Sequence, residues 1–138
     1  MENSFYTPSE VIKSNIKSAV AKANLPLAKM ILLGMMAGAF IAFGGAASSV
    51  AAHGVADVGL ARSIAGAIFP VGLILVVFTG SELFTGNSLM IMAVIDKKIT
   101  LLKMIRNLVV VYFANFIGAL IIDALVFLSG QFDFSGGG

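Results

Sequence analysis

Long apolar stretches separated by short polar segments form the main pattern of this sequence. No charged residue occurs in 30–52, a run of about 23 residues that is long enough to cross a bilayer as a helix. A second apolar stretch covers 63–95 and contains one charge, Glu82, and a third covers about 107–129. The pattern predicts an all-α polytopic membrane protein with three transmembrane helices, at about 28–53, 63–95 and 104–130.

The second stretch is too long for one straight crossing. At about 1.5 Å per residue its 33 residues would reach about 50 Å, whereas the hydrocarbon core is about 30 Å thick. Two full crossings would need more residues. The segment 79–88, Thr-Gly-Ser-Glu-Leu-Phe-Thr-Gly-Asn-Ser, places polar side chains in the middle of this stretch. Non-helical backbone at membrane depth occurs where it is buried in protein or lines a watery cavity. We therefore expect the second helix to be broken by a loop near 80–88, beside a pore.

Small residues recur at four-residue spacing in the first and third spans. Gly34 and Gly38 form one such pair, and Ala114 and Gly118 form another. This spacing favours close approach of helix backbones in lipid. The alternative is that these glycines are merely tolerated in membrane helices.

Residues 1–26 are predicted to form a cytoplasmic amphipathic helix that precedes the membrane domain at 27–138. Thr7 or Ser9 can cap it, Pro8 suits its first turn, and Glu10 lies at the positive end of its dipole. Residues 1–25 lack the central apolar run of a cleavable signal peptide, so none is predicted here. Two interpretations stay open: a helix along the membrane face that contacts a neighbouring subunit, or a plain amphipathic leader.

The basic residues are distributed to one side of the predicted spans. Eight of the nine lie before the first apolar stretch or between the second and third, and Arg62 alone lies on the other side. The protein is expected in the inner (plasma) membrane. Because positive residues mark the cytoplasmic side, we expect the N-terminus in the cytoplasm and the C-terminal tail outside. The basic balance of +2 is thus a topology signal, and no nucleic-acid partner is predicted.

The composition restricts the chemistry further. The chain is 59% hydrophobic and 12% charged, with no cysteine and a single histidine, His53. It offers no nucleophile–base set and no cluster of metal ligands, so we predict neither an enzyme nor a cofactor or metal site. His53, at the outer end of the first span, is expected to be an interfacial polar residue.

The segment 77–87, Val-Phe-Thr-Gly-Ser-Glu-Leu-Phe-Thr-Gly-Asn, resembles the first signature of the formate/nitrite transporter family. That signature has a glycine, a small residue, an acid, Leu-Phe, then Thr and a small residue. The lead-in Phe-Pro-Val-Gly-Leu at 69–73, the N-terminal Thr-Pro-Ser-Glu and the small-rich first span also fit. Among the family's branches the sequence is most similar to clostridial hydrosulfide channels.

The resemblance implies an aquaporin-like bundle of six spans, made of two inverted three-span repeats and assembled as a homo-pentamer with one pore per subunit. This chain would be one repeat, because a family subunit is about twice as long. In the family, the central histidine that could pass a proton lies in the fifth span, and the basic residue that helps to attract anions also belongs to the second half. We expect the chain to be either a fragment or one half of a split protein, and three further spans to be needed for a complete pore.

The resemblance also implies pore-lining roles. Phe84 and Leu73 would form the cytoplasmic constriction, and Phe69 and Leu83 the outer one. Thr85 would face the chamber between them and offer its hydroxyl to the anion. Leu83, Phe84 and Thr85 would all lie in the loop of the broken helix.

Four polar or small residues are expected to hold that loop in place: Gly80, Glu82, Gly86 and Asn87. For Glu82, bracing the loop is weighed against direct handling of the anion, which a bare carboxylate would repel. Asp123, in the third span, is expected at a subunit contact or reaching outward, with a pore role as the alternative. Asn115 and Asn87 are candidates for hydrogen bonds between helices.

These features predict a membrane channel or transporter for small monovalent anions of the formate, nitrite or hydrosulfide type, with the lipid bilayer as its other partner. The alternative is a non-conducting three-span structural or assembly subunit. The polar break in the second span separates the two, because a helix that only packs would not need it. An aquaglyceroporin-like half is disfavoured because the sequence has no Asn-Pro-Ala.

Overall fold

The computed structural model describes residues 5–131, which are helical apart from short connections and contain no strand. Three helical segments there are long and apolar enough to cross a membrane, as the sequence predicted. The predicted outer tail lies mostly outside the described residues. The helices, in chain order, are α1 (Pro8–Ala23), α2 (Leu27–Ala52), α3 (Val58–Ile68), α4 (Pro70–Thr79), α5 (Phe84–Asn87), α6 (Ile91–Ile95) and α7 (Leu101–Leu128), with a 3-10 turn at Ser88–Met90 between α5 and α6.

Helix α1 starts with a capping box. The Thr7 hydroxyl accepts from the Glu10 N–H at 3.4 Å, and the Glu10 carboxylate accepts from the Thr7 N–H at 2.7 Å. Thr7 is therefore the cap, and Ser9 lies inside the helix. The buried face of α1, at Ala19 and Ala23, packs in one cluster with residues that follow the break and begin α7. The helix thus docks on its own chain.

The second span begins earlier than predicted. The predicted span starts at 63, but the Asp57 carboxylate caps α3 by accepting from the Leu60 N–H at 2.7 Å, so the helix starts at Val58. Helices α3 and α4 form one crossing, Val58–Thr79, because Phe69 between them keeps helical angles. The third span also starts early, at Leu101, where Thr100 caps it.

Helix α2 lies between α4 and α7 and contacts both through glycines. A Cβ on Gly38 would overlap the main-chain oxygen of Asn115, and one on Gly118 would overlap that of Met35. On the other side, a Cβ on Gly72 would come within 2.6 Å of the Phe40 main-chain oxygen. The predicted close packing through small residues is confirmed, and it brings α7 against the end of the second span.

Candidate functional site

The second span breaks after Thr79. Gly80 ends α4 in the left-handed conformation, with φ 63°, and the Ser81 N–H then turns back to the Val76 carbonyl at 3.0 Å. A side chain at this φ costs about 1–2 kcal/mol, which explains a glycine here. Residues 81–83 are not helical, and the helix resumes at Phe84. The predicted break in the second helix is therefore present.

The break is shorter than the predicted 80–88. Phe84 and Thr85 had been expected in the loop, but both belong to the first turn of α5. Helix formation restarts there because the Asn87 N–H donates to the Leu83 carbonyl at 2.9 Å. Leu83 is the last extended residue, so it is the one of the three that lies in the loop.

Neighbouring helices satisfy the backbone of the break. The Glu82 N–H donates to the Leu33 carbonyl of α2 at 3.2 Å. From α7, the Asn115 amide nitrogen donates to the Glu82 carbonyl at 2.8 Å and to the Gly34 carbonyl at 2.7 Å, while its oxygen accepts from the Phe84 N–H at 3.0 Å. One side chain thus pairs the two backbone groups that flank Leu83, the Glu82 carbonyl and the Phe84 N–H. Such pairing by neighbouring helices lets non-helical backbone persist without water.

Glu82 is 3% exposed, and both of its carboxylate oxygens are paired. One carboxylate oxygen accepts from the Lys22 ammonium at 2.9 Å, and the other accepts from the Asn87 amide at 2.6 Å. Lys22 also donates to the Asn87 oxygen at 2.8 Å, and Asn87 donates to Asn107 at 2.7 Å. Asn107 closes the network by donating to the Lys22 carbonyl at 3.3 Å. No buried side-chain nitrogen or oxygen within 5–131 lacks a partner.

A cavity of about 570 Å³ lies between α1, the start of α2 and the break. Two lysines line it, Lys22 and Lys29, and Glu82 is the one carboxylate in its wall. Six of the residues singled out from the sequence share this wall: Leu73, Gly80, Glu82, Leu83, Gly86 and Asn87. The other three, Phe69, Phe84 and Thr85, do not line it. The structure therefore assembles only part of the predicted set around one space.

Phe84 lies instead against α7. Its ring meets the Tyr112 ring edge to face, with centroids 5.6 Å apart and planes at 71°, and Tyr112 meets Phe113 in the same way at 5.4 Å. An apolar hollow of about 340 Å³ adjoins these three rings. Aromatic pairs of this geometry favour one ring orientation, so Tyr112 helps to fix Phe84.

Thr85 presents open hydrogen-bonding groups. Its side chain is exposed, and within 5–131 its hydroxyl has no hydrogen-bond partner. The N–H groups of Thr85 and Gly86, in the first turn of α5, likewise find no acceptor among the described backbone contacts. First-turn N–H groups are left open by helix geometry and attract negative charge.

Lys22 and Asn107 are the members of this site that sequence patterns missed. From the sequence pattern, Lys22 is only one of several charges on an amphipathic helix. Asn107 is only the first residue of the third apolar stretch. The signal that could have found Lys22 is Glu82 itself, because a carboxylate inside an apolar span needs a cation or several donors. Within the described part of the chain, no three His, Cys, Asp or Glu residues group as a metal site would require.

Comparisons with known proteins agree with the geometry. The model of a family described as formate/nitrite transporter matches residues 9–137. A probable formate transporter of Methanothermobacter thermautotrophicus is 42% identical over 127 residues, which cover 88% of this chain and 46% of that protein. The formate channel FocA of Haemophilus influenzae is 39% identical, covering 91% of this chain and 45% of the channel.

A solved structure described as an FNT family ion channel superimposes with a TM-score of 0.80 at 26% identity. The match covers 88% of this chain and 50% of that one. The chain therefore spans about half the length of the relatives that it matches.

Proposed function

Because this chain belongs to the formate/nitrite transporter family, a family of multi-pass membrane proteins, we propose that it forms half of a channel for small monovalent anions, with the break in the second span on the permeation path. The observation that carries the proposal is the pair of open groups at Thr85. A free hydroxyl and free N–H groups at the start of a helix replace part of an anion's hydration shell.

The pairing of Glu82 supports the same proposal. An unpaired carboxylate at this depth would repel an anion, but the Lys22 ammonium at 2.9 Å offsets its charge. Lys29 lines the cavity of about 570 Å³ beside the break, together with Lys22 and Glu82. Because Lys29 has no hydrogen-bond or ion-pair partner within 5–131, the wall of that cavity carries excess positive charge. Glu82, Asn87, Gly80 and Gly86 therefore act as the support of the path, and Thr85 as the anion contact.

Apolar side chains narrow the proposed path. Leu73 and Leu83 face the cavity beside the break, and Phe84 is oriented by Tyr112. With Phe69 they form the two constrictions that exclude strongly hydrated ions. Formate is the first anion to test, because the names of two similar proteins specify it. Nitrite and hydrosulfide are the other members of the same small-anion class.

The complete channel contains three further spans and is a homo-pentamer in the inner (plasma) membrane. Its N-terminus lies in the cytoplasm, on the side that carries eight of the nine basic residues. The further spans pack on the exposed apolar surface of α5 and α7 around Phe84 and Tyr112, and they close the path there. The three further spans agree with the length of the matched relatives, of which this chain covers about half.

The test is formate flux into liposomes that contain this chain together with its three complementary spans. Thr85→Val keeps the shape of the side chain and removes the hydroxyl. Loss of a hydrogen bond to a charged group costs about 1.5–3 kcal/mol, so we expect flux to fall by about tenfold or more. The matched control is Ser63→Ala. The Ser63 hydroxyl donates to the Gly59 carbonyl of its own helix at 2.8 Å, so its removal should leave formate flux unchanged.

Phe84→Ala, tested in the same liposomes, is expected to raise leakage of larger hydrated anions because it widens a constriction. Unchanged flux and selectivity in both Thr85→Val and Phe84→Ala would overturn the channel proposal. That outcome would favour the alternative of a non-conducting three-span subunit.

A further inference from the structure

The turn between α6 and α7 carries two adjacent lysines, Lys97 and Lys98. Lys97 has a positive φ of 55°, which is unusual for a residue with a side chain. The N–H groups of Lys98 and Ile99 both donate to the Ala93 carbonyl, at 2.9 and 3.3 Å, and Ile99 is buried in the cluster that holds α1. These hydrogen bonds and the buried Ile99 side chain therefore anchor the turn that carries both lysines.

These lysines line a cavity of about 330 Å³. The remaining lining residues are two apolar ones, Val94 and Ile99, together with Thr100 and Lys103, and no carboxylate is among them. Lys103 is held by a hydrogen bond to the Asn24 side chain at 2.7 Å. Within 5–131 the ammonium groups of Lys97 and Lys98 have neither a hydrogen-bond nor an ion-pair partner. The cavity thus combines three positive charges with an apolar floor.

Exposed apolar residues adjoin the lining residues along the chain. Ile95 and Leu102, on either side of the turn, are 75% and 76% exposed, and Leu101 is 53% exposed. In a membrane-spanning chain such residues enter the acyl region, while lysines beside them reach the level of the headgroups. A soluble anion would gain nothing from these apolar neighbours. A lipid gains from both.

We propose that this cavity, formed by Val94, Lys97, Lys98, Ile99, Thr100 and Lys103, binds the headgroup phosphate of an anionic phospholipid. Charge complementarity identifies the occupant: three ammonium groups and a hydroxyl face a phosphate, and Ile95 and Leu102 face the acyl chains. Lys13 and Lys17 on α1 have the same charge but do not line this cavity. The site is independent of anion permeation and requires only that the chain lies in a bilayer.

The experiment measures phospholipid retained by the purified full-length chain. Native mass spectrometry follows its titration with phosphatidylglycerol or phosphatidylcholine in non-ionic detergent. The wild-type chain should retain phosphatidylglycerol in preference. Lys97→Gln/Lys98→Gln should weaken that retention on the order of 25-fold, at about fivefold for each lysine near an anionic headgroup. Lys13→Gln/Lys17→Gln removes the same charge from α1 and should leave retention unchanged.

Lys97→Arg/Lys98→Arg keeps the charge and should retain phosphatidylglycerol, which separates the loss of charge from a loss of folding. Equal weakening by the two glutamine pairs would overturn the proposal, because retention would then follow net charge alone. Equal retention of the two lipids would overturn it as well. Displacement of the lipid by an equal concentration of inorganic phosphate would show a free-phosphate site and would also contradict it. Formate flux does not enter any of these readouts.

Discussion

Lys22, in the last turn of α1, lies 2.9 Å from the carboxylate of Glu82 in the break of the second span, 60 residues further along the chain. The same ammonium donates to Asn87 at 2.8 Å. The helix that precedes the membrane domain therefore contributes a charge to the centre of the candidate site. Displacement of α1 would leave Glu82, which is 3% exposed, with its charge uncompensated.

Removal of the Lys22 charge should destabilise the protein strongly. Removal of one partner of a buried ion pair lowers the free energy of unfolding by about 3–5 kcal/mol. Because Lys22 is partly exposed, we expect Lys22→Met near the lower end, at about 3 kcal/mol. The measurement is the free energy of unfolding from titration with sodium dodecyl sulfate in mixed micelles, followed by circular dichroism.

Two variants make this prediction specific. Lys22→Met/Glu82→Gln removes both charges and should recover more than half of the lost stability, because no unpaired charge is left in the site. Lys17→Met, on an exposed part of the same helix, should change stability by less than about 0.5 kcal/mol. Equal effects of Lys22→Met and Lys17→Met would mean that the ion pair contributes nothing.

Asn115 should control local opening of the break. In Asn115→Leu the Phe84 N–H loses its acceptor and the Glu82 carbonyl loses a donor. Phe84 is 37% exposed, so the net value of about 0.5–1.5 kcal/mol for one hydrogen bond applies, and exchange of the Phe84 amide hydrogen should accelerate several-fold. Phe116→Leu, the next residue on α7 and an exposed one, is the control with the same product side chain. Unchanged exchange in Asn115→Leu would show that Asn115 does not hold the loop.

The three spans and the break follow from simple properties of the sequence. Apolar length predicts the spans, and the second stretch is too long for the bilayer, which places the break at its polar residues. The end of the break depends on contacts that local patterns do not contain. Phe84 begins a helix because Leu83 is extended and Asn115, 31 residues away, accepts its N–H. The length of the loop was therefore overestimated.

The bracing network shows the same limit. Glu82 and Asn87 stand out in the sequence because polar side chains are rare in apolar stretches. Their partner Lys22 lies in a different element, and helical periodicity assigns it only to a polar face. The start of α3 differs from the prediction for a local reason: the apolar stretch was counted from residue 63, after Arg62, although Asp57 is a common type of helix cap.

The capping box of α1 should be sensitive to acid. The Thr7 N–H, and after it the Thr7 hydroxyl, lower the pKa of Glu10 below its ordinary 4.5. A carboxylate with a lowered pKa in the folded state contributes stability that is present above its ordinary pKa and is lost as the pH falls through the lowered value. We expect the first turn of α1 to open in that range, as measured by carboxyl ¹³C titration and amide exchange.

Two variants test the cause of this shift. Glu10→Gln should remove the pH dependence of the first turn. Thr7→Val should leave the pKa of Glu10 still below 4.5, because the Thr7 N–H is the larger cause and stays in place. A return of the pKa to 4.5 in Thr7→Val would instead make the hydroxyl the main cause.

Glycines on α2 should differ sharply in their tolerance of a methyl group. At Gly38 a Cβ would overlap the main-chain oxygen of Asn115, whereas at Gly45 it would meet nothing within 4 Å. Overpacking costs about 1–3 kcal/mol when side chains can move. Backbone atoms of α7 cannot move without displacing the Asn115 side chain from the break, so Gly38→Ala should cost more than that. Gly45→Ala should leave the free energy of unfolding unchanged or raise it by up to about 1 kcal/mol, because alanine has a higher helix propensity than glycine. The same titration with sodium dodecyl sulfate measures both, and equal stabilities would contradict the close approach of α2 and α7 that holds the break in place.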